Sequence, residues 1–351
     1  MVPGQPGRGR GPRPLTPASL PDLPGVGDWL DELAALAPPP APLPLPAGDE
    51  LAGLLARLGV PAAEIPAAVA ARPSPEVDSD RWWVLERSYH RLTSGLGTDS
   101  PADAGPAADG RGPWGWWPPA PAELGPGWEW FFLHLYAAAA PTVADLHRRW
   151  GLPEDVTWAT LGNVGRNVGL HRRMHGSPGV NAPWWLVLHY RGMLVHLGRL
   201  QYLRARARWS PAGASFAAGD PVLDLHIPPT GPLAPDAVDA SLAGARVTFG
   251  RVFPADDSPW GVCSSWLLDP TLAEVLPEDS NIVRFQRRFH LDPDWARPGD
   301  DTIVEFVFRR VRSAGGELPP ATTTLERAIV DRLAAGGHWE TRRGWCEVAP
   351  R

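Results

Sequence analysis

The sequence predicts an α+β / α/β protein, a mainly helical N-terminal region followed by sheet strands flanked by helices. Three observations carry this. Between Asp49 and His175 apolar residues recur three and four apart, the helical period. At Trp184 the period changes to two. In the C-terminal third, strand-like and helix-like stretches follow one another, as in "LDLHIPPTGPLAPDAVDASLAGARVTFGRVF" over residues 223–253.

Residues 1–45 hold Pro, Gly and Ala around one short helical fragment, "DWLDELAALA". Such a segment buries too little apolar surface to offset its ordering entropy, and is expected to be a flexible leader. Helices are expected over "DELAGLLARLGV" and "SDRWWVLERSYHRL", then over "WEWFFLHLYAAA", "PTVADLHRRW" and "DVTWATLGNVGRNVGLHRRMHG". The Pro- and Gly-rich stretch between Asp99 and Gly127 reads as a long loop, with Trp114, Trp116 and Trp117 docking part of it on the protein. Residues 142–164 superficially resemble a helix-turn-helix, but two helices on a short turn are common in any helical domain.

"WWLVLHYRGMLVHLGRLQYLRARAR" reads as two strands turning at Arg191-Gly192. That register would set His189 and His196 diagonally on one face, within reach of each other or of a shared ligand. Without a carboxylate or a third nitrogen nearby, they do not make a metal site. Further on the pattern predicts a strand (221–227), a helix (235–252), a strand (259–266), a helix (270–276), strands (281–290 and 302–312) and a helix (323–335). Asp269-Pro270 supplies a helix start, and Thr323 with Glu326 a capping box.

The 351 residues are 44% hydrophobic, as in a globular protein. No run of about 18 apolar residues occurs, which argues against membrane insertion. The N-terminus has Pro and Gly where a secretory signal has an apolar stretch, which argues against export. Cys263 and Cys346 make neither a disulfide framework nor a zinc pattern, and a reducing cytoplasm fits. All 33 cationic side chains are arginine, yet the net charge is −6, which argues against nucleic acid as a partner.

The chemistry centres on the 228–235 loop. An apolar stripe of Val238, Leu242, Ala245, Phe249 and Phe253 would pack helix 235–252 on the sheet and aim its first turn at the end of strand 221–227. Unpaired amides and the positive end of the peptide dipoles then attract phosphate. Gly231 would admit a ligand to the backbone and Thr230 offers a hydroxyl, while Pro228, Pro229, Pro232 and Pro235 lack N–H donors. An ordinary strand-to-helix turn explains the same residues. On the preceding strand Asp224 and His226 share a face, where a histidine could accept a proton. Cys263, Ser264 and Ser265 follow on the next strand, and Cys263 reads either as a nucleophile beside His226 or as a buried structural thiol.

The segments "HLGRLQY", "HIPPTGPLAPDAVDASLAGARVTF", "VCSSWLLDP" and "LPEDSNIVRFQRRF" resemble a family of actinobacterial and firmicute acyltransferases in which an N-acyltransferase N-terminal domain precedes a domain of GCN5-related N-acetyltransferase (GNAT) type. The resemblance covers roughly residues 50 to 340. It implies an N-terminal domain over 46–206, a GNAT-like domain over 207–348, and a mixed sheet whose one parallel pair, strands 221–227 and 259–266, splays apart. Acetyl-CoA or another acyl-CoA would enter that opening, with its diphosphate on Pro229, Thr230, Gly231, Leu233 and Ala234. The family signature has Arg or Gln ahead of the glycine; "PTGPLA" lacks it.

The resemblance further implies direct acyl transfer to a small-molecule or peptide amine, with no metal; on the residues, the base is His226 or water relayed from Asp224, and His226 also reads as a structural histidine fixing the loop. No tyrosine lies in 270–276 to protonate the departing thiolate, which leaves Ser265, Ser264, Cys263 or water. The alternative is a GNAT-fold CoA-binding or regulatory module that has lost turnover.

Overall fold

A computed structural model describes residues 26–100, 117, 124–310 and 320–348. The N-terminal part is helical: α1 (Val26–Ala34), α2 (Gly48–Arg57), α3 (Ile65–Ala70), α4 (Ser79–Thr93), α5 (Phe131–Arg149), α6 (Glu154–Leu161), α7 (Asn163–His175) and α8 (Pro183–Tyr190). Helix α5 is its axle. Every residue from Phe131 to Ala140 is buried, so the run that sequence shows as apolar on all sides is a helix enclosed by others.

The leader expectation is corrected for residues 26–45. Trp29 and Leu33 of α1 are fully buried, Trp29 meets Phe131 edge-on at 5.5 Å, and Leu43 and Leu45 join the same core. One indole buried in this way supplies about 2–3 kcal/mol, enough to order a short helix that composition alone would leave loose. Trp117 is likewise buried and tilts against Phe132; Trp114 and Trp116 lie outside the described residues.

The second part carries β1 (Leu194–Leu197), β2 (Leu200–Arg206), β3 (Pro221–His226), α9 (Pro235–Val252), β4 (Trp260–Ser265), α10 (Leu272–Val275), α11 (Asn281–Gln286), β5 (His290–Pro298), α12 (Asp300–Phe308), α13 (Thr324–Ala334) and β6 (Glu340–Glu347). The six strands form one mixed sheet in the order β1-β2-β3-β4-β6-β5, parallel only between β3 and β4. One face packs on α9 through Val238, Leu242, Ala245 and Phe249 against Leu223, Leu225 and Tyr202. The other face of β1 and β2 packs on α8 through Leu188, Met193, Leu194 and Leu203. The helical part and the sheet therefore share buried surface, and the amide of His196 donates to Thr160 Oγ1 at 3.0 Å across it.

Several expected strands are helices. Residues 183–190 form α8, opened by Pro183 at the first helical position, so the hairpin is 194–206 and turns at Gly198-Arg199. His189 is consequently on a helix, not diagonal to His196 on a hairpin. The segment 281–290 begins as α11, because the Ser280 hydroxyl accepts the Val283 amide at 3.3 Å and caps it; only from His290 does the chain extend. Of the segment 302–312, the residues up to Phe308 belong to α12, which buries Ile303 and Val304 against Ile329 and Trp339, and residues 311 and 312 lie outside the described residues. Residues 184–190 and 302–308 are short apolar runs, for which periodicity does not separate a buried strand from a buried helix, while 281–290 alternates Val283, Phe285 and Phe289 with Arg284, Gln286 and Arg288 and is too short for its period to outweigh the Ser280 cap. Strand β6, between β4 and β5, has no counterpart in the sequence reading. The capping box at Thr323 and Glu326 forms as expected.

Candidate functional site

Strands β3 and β4 pair only at Leu223 with Gly261 and Asp224 with Val262. Beyond these two pairs they diverge, and the facing edges of Leu225–Ile227 and Cys263–Ser265 have no ladder partner in each other. A sheet that splits at its centre leaves a slot lined by backbone polar groups, which require other partners.

The loop after β3 leads into α9 at Pro235. The N-cap residue Ala234 has no side chain to cap the first turn. The amides of Gly231, Leu233, Ala234, Asp236 and Ala237 find no acceptor among the described residues, so this helix end presents free donors and partial positive charge. Gly231 has φ +135, in the range glycine favours, and a Cβ there would meet nothing within 4 Å. An anion therefore has both donors and room. Arg199, from the β1–β2 turn, approaches the loop from outside. Its Nε donates to Pro232 O at 2.9 Å and its two terminal nitrogens to Pro228 O at 2.8 Å and Gly231 O at 2.7 Å. A groove of about 520 Å³ runs beside it, lined by His196, Thr230, Ser241 and Gly244 among others.

Asp224 and His226 lie on the face of β3 turned away from α9, at the end where β3 and β4 part, their side chains 30% and 28% exposed. Asp224 Oδ2 stands 3.7 Å from His226 Nε2, a charge contact longer than a hydrogen bond. Burial lowers the His226 imidazole below its ordinary value, with Asp224 opposing; burial raises the Asp224 carboxyl, with His226 opposing. At neutral pH His226 is therefore neutral and able to accept a proton. Trp185 packs edge-to-face with its ring, with centroids 4.7 Å apart, and His226 Nε2 has no hydrogen-bond partner among the described residues. Across the ladder, Gln201 sits opposite His226, and His196 opposite Gln201, in one row on this face.

The structure thus brings Asp224 and His226 together at the mouth, with Pro229, Thr230, Gly231, Leu233 and Ala234 beyond the end of the same strand. Ser265 lies on the diverging strand, where its Oγ accepts the Leu267 amide at 3.1 Å, leaving its hydroxyl hydrogen to donate. Cys263 is 1% exposed, and burial pushes its thiol far above the ordinary value, so it is a core side chain and not a thiolate nucleophile. Sequence reasoning missed Arg199. A search for the signature Arg or Gln looks just ahead of the glycine, whereas this guanidinium comes from a different turn. Among the described residues no three His, Cys, Asp or Glu side chains could hold a metal together, and no helix is long and apolar enough to cross a membrane.

Comparison with known proteins identifies the family. Residues 49–192 match the family description "N-acyltransferase N-terminal domain" and residues 194–346 match "GNAT-like C-terminal domain". A solved acyltransferase in complex with decanoyl-CoA is 42% identical, with a TM-score of 0.81 over 92% of this chain and 95% of that one. Two further acyltransferase structures, one with CoA and 10C-teicoplanin and one with decanoyl-CoA and teicoplanin, are each 39% identical, with TM-scores of 0.80 over the same shares. No curated protein matches.

Proposed function

Because the chain belongs to the acyltransferase family that joins an N-acyltransferase N-terminal domain to a GNAT-like C-terminal domain, we propose that it moves a medium-length acyl group from a CoA thioester to an amine on a peptide-like acceptor. It is a GNAT-like acyltransferase whose co-substrate is an acyl-CoA. The finer reading draws on the ten-carbon donor and the teicoplanin of its structural neighbours. The observation that carries it is the parallel pair held at two positions only, with His226 at the mouth of the resulting slot.

In this reading the diphosphate lies on the free amides at the start of α9, and the pantetheine arm lies in the slot, where the unpaired strand edges supply its hydrogen bonds. The amine approaches from the face that carries Asp224, His226 and Trp185. Its nitrogen lone pair attacks the thioester carbonyl carbon, and a backbone N–H of the splayed edges takes the developing oxyanion. His226 accepts the proton released as the C–N bond forms, directly or through a water held by Asp224. The C–S bond then breaks and the electron pair leaves with sulfur, which is protonated by the Ser265 hydroxyl or by water. No step needs a metal.

The alternative of an inactive CoA-binding module rested on the absent Arg or Gln. It is not favoured: the chain's similar structures are acyltransferases with donor bound, and Arg199 supplies a guanidinium to the loop from elsewhere. The test is to mix the protein with decanoyl-CoA and teicoplanin, follow free thiol, and weigh the product by mass spectrometry. Thiol release together with an amide-linked decanoyl adduct supports the proposal. Binding of decanoyl-CoA with no thiol release for any peptide-like amine refutes it.

A further inference from the structure

The 228–235 loop poses a problem of charge. A diphosphate needs donors, but this loop is built on Pro228, Pro229, Pro232 and Pro235, which have none. In a trans peptide the C=O and the following N–H point in opposite directions. After Pro228 and Gly231 the next residue is proline, so these two peptides present a carbonyl with no N–H behind it. Left free to turn inward, those oxygens would repel an anion placed at the start of α9.

Arg199 answers both difficulties. All three of its nitrogens are engaged, on the carbonyls of Pro228, Gly231 and Pro232, at 2.7 to 2.9 Å. The Gly231 carbonyl is thereby turned toward Arg199, and the Pro228 carbonyl is shared between Arg199 and the Thr230 amide, which donates to it at 2.8 Å. Fixing the Pro232 carbonyl toward Arg199 also aims the Leu233 N–H to the opposite side, toward the helix start. No other side chain among the described residues holds these carbonyls, and no carboxylate within salt-bridge distance of Arg199 competes for its charge. Its planar fork can meet three acceptors at once, which the single ammonium of a lysine does not reproduce. The turn that carries it is rigid: Gly198 has φ +63 and its neighbour Leu200 donates its amide to Ser241 Oγ at 3.1 Å, tying the turn to α9 itself.

We propose that Arg199 is the positioning residue that shapes the loop into a diphosphate cradle, acting from outside the ligand through backbone carbonyls. It stands in for the cation missing from the loop's own sequence without touching the anion. This rests on the reading of the loop as the place where the CoA diphosphate binds.

The experiment separates the two. Dissociation constants for decanoyl-CoA and for decanoyl-pantetheine, which lacks the diphosphate and adenosine, are measured by calorimetry on the full chain and on Arg199→Ala and Arg199→Lys. The wild-type protein is expected to bind decanoyl-CoA at least tenfold more tightly than decanoyl-pantetheine. If it binds the two equally, the diphosphate reading itself fails. Given that preference, Arg199→Ala is expected to weaken decanoyl-CoA by about thirtyfold, the scale of several charge-assisted hydrogen bonds lost, and decanoyl-pantetheine by less than about twofold. Arg199→Lys, which keeps the charge and loses the fork, is expected to remain about tenfold weaker for decanoyl-CoA, and it decides the matter if the alanine variant does not fold. Equal weakening of both probes, no weakening of either, or full rescue by lysine would each overturn the proposal, the last by showing that bare charge suffices.

Discussion

Acid should destabilise this protein through its buried histidines. Burial pushes His134, His147 and His196 down to about 4 and His189 down to about 3. Neither ring nitrogen of His147 has a hydrogen-bond partner among the described residues. A group whose folded value lies below the unfolded 6.5 contributes its full stability above 6.5 and loses it as pH falls toward the folded value. Each of these histidines binds a proton only on unfolding, which lowers the unfolding free energy by about 1.4 kcal/mol per pH unit, or roughly 2 kcal/mol between pH 6.5 and 5. Four together remove about 8 kcal/mol, the whole stability of many domains. The lowered carboxyls, Glu64, Glu76 and Glu326, lose their contribution only below 4.5 and do not enter this window. Urea unfolding followed by circular dichroism at pH 7, 6 and 5 reads the loss directly. In His147→Phe, which keeps the stack on Trp150 at 5.8 Å without the titrating ring, the slope should drop by about a quarter. A loss of under about 2 kcal/mol from pH 7 to 5, or an unchanged slope in His147→Phe, would refute the reasoning.

Further outcomes follow from the site and the core. His226→Ala is expected to lower the turnover rate by about 10²–10⁴-fold with the acyl-CoA dissociation constant unchanged, measured by thiol release and calorimetry. Burial already lowers His226 and Asp224 opposes it, so Asp224→Asn should move the acid limb of the kcat/KM profile to lower pH; a move upward would exclude Asp224 as its electrostatic partner. Gly231→Val should weaken decanoyl-CoA through backbone strain, because φ +135 disfavours a β-branched residue although the space above it is open; equal affinity would show that the loop does not touch the donor. Gly165→Ala should destabilise the protein by about 2 kcal/mol or more, since its Cβ would fall 2.2 Å from the Gly59 carbonyl carbon, where only backbone can give way; a melting temperature within a degree of wild type would contradict that contact.

The parts of the fold visible in the sequence are those with marked ends. Helix α9 begins at a proline and keeps one apolar stripe, and β3 alternates before its loop, so both were readable to within a residue or two. The stretches at 184, 281 and 302 carry buried apolar residues on more than one side, and what decides between strand and helix there is tertiary: Pro183 opening α8, Ser280 capping α11, and Trp339 covering α12. Strand β6 escaped notice because Arg342 and Arg343 interrupt its apolar character; Arg342 is held by Glu340 on the same strand, and Arg343 by Asp292, which lies some fifty positions upstream. At the site, Asp224 and His226 were legible because they are two apart on one strand. Arg199 was not, because its loop partners lie about thirty positions downstream and only the β2–β3 register folds them back together.

The meeting of β3 and β4 at two residue pairs has a mechanical side. Half of the six-stranded layer packs on the helical part through β1 and β2, while the other half, β4, β6 and β5, is joined to it along the sheet by two residue pairs and otherwise by the core under α9, so the seam between them has very few stitches. Any long molecule threaded along that seam and bonded to both lips acts as a fastener for the whole protein. Amide hydrogen exchange should therefore slow on both sides of the seam together once decanoyl-CoA is bound, including in strands the ligand never touches.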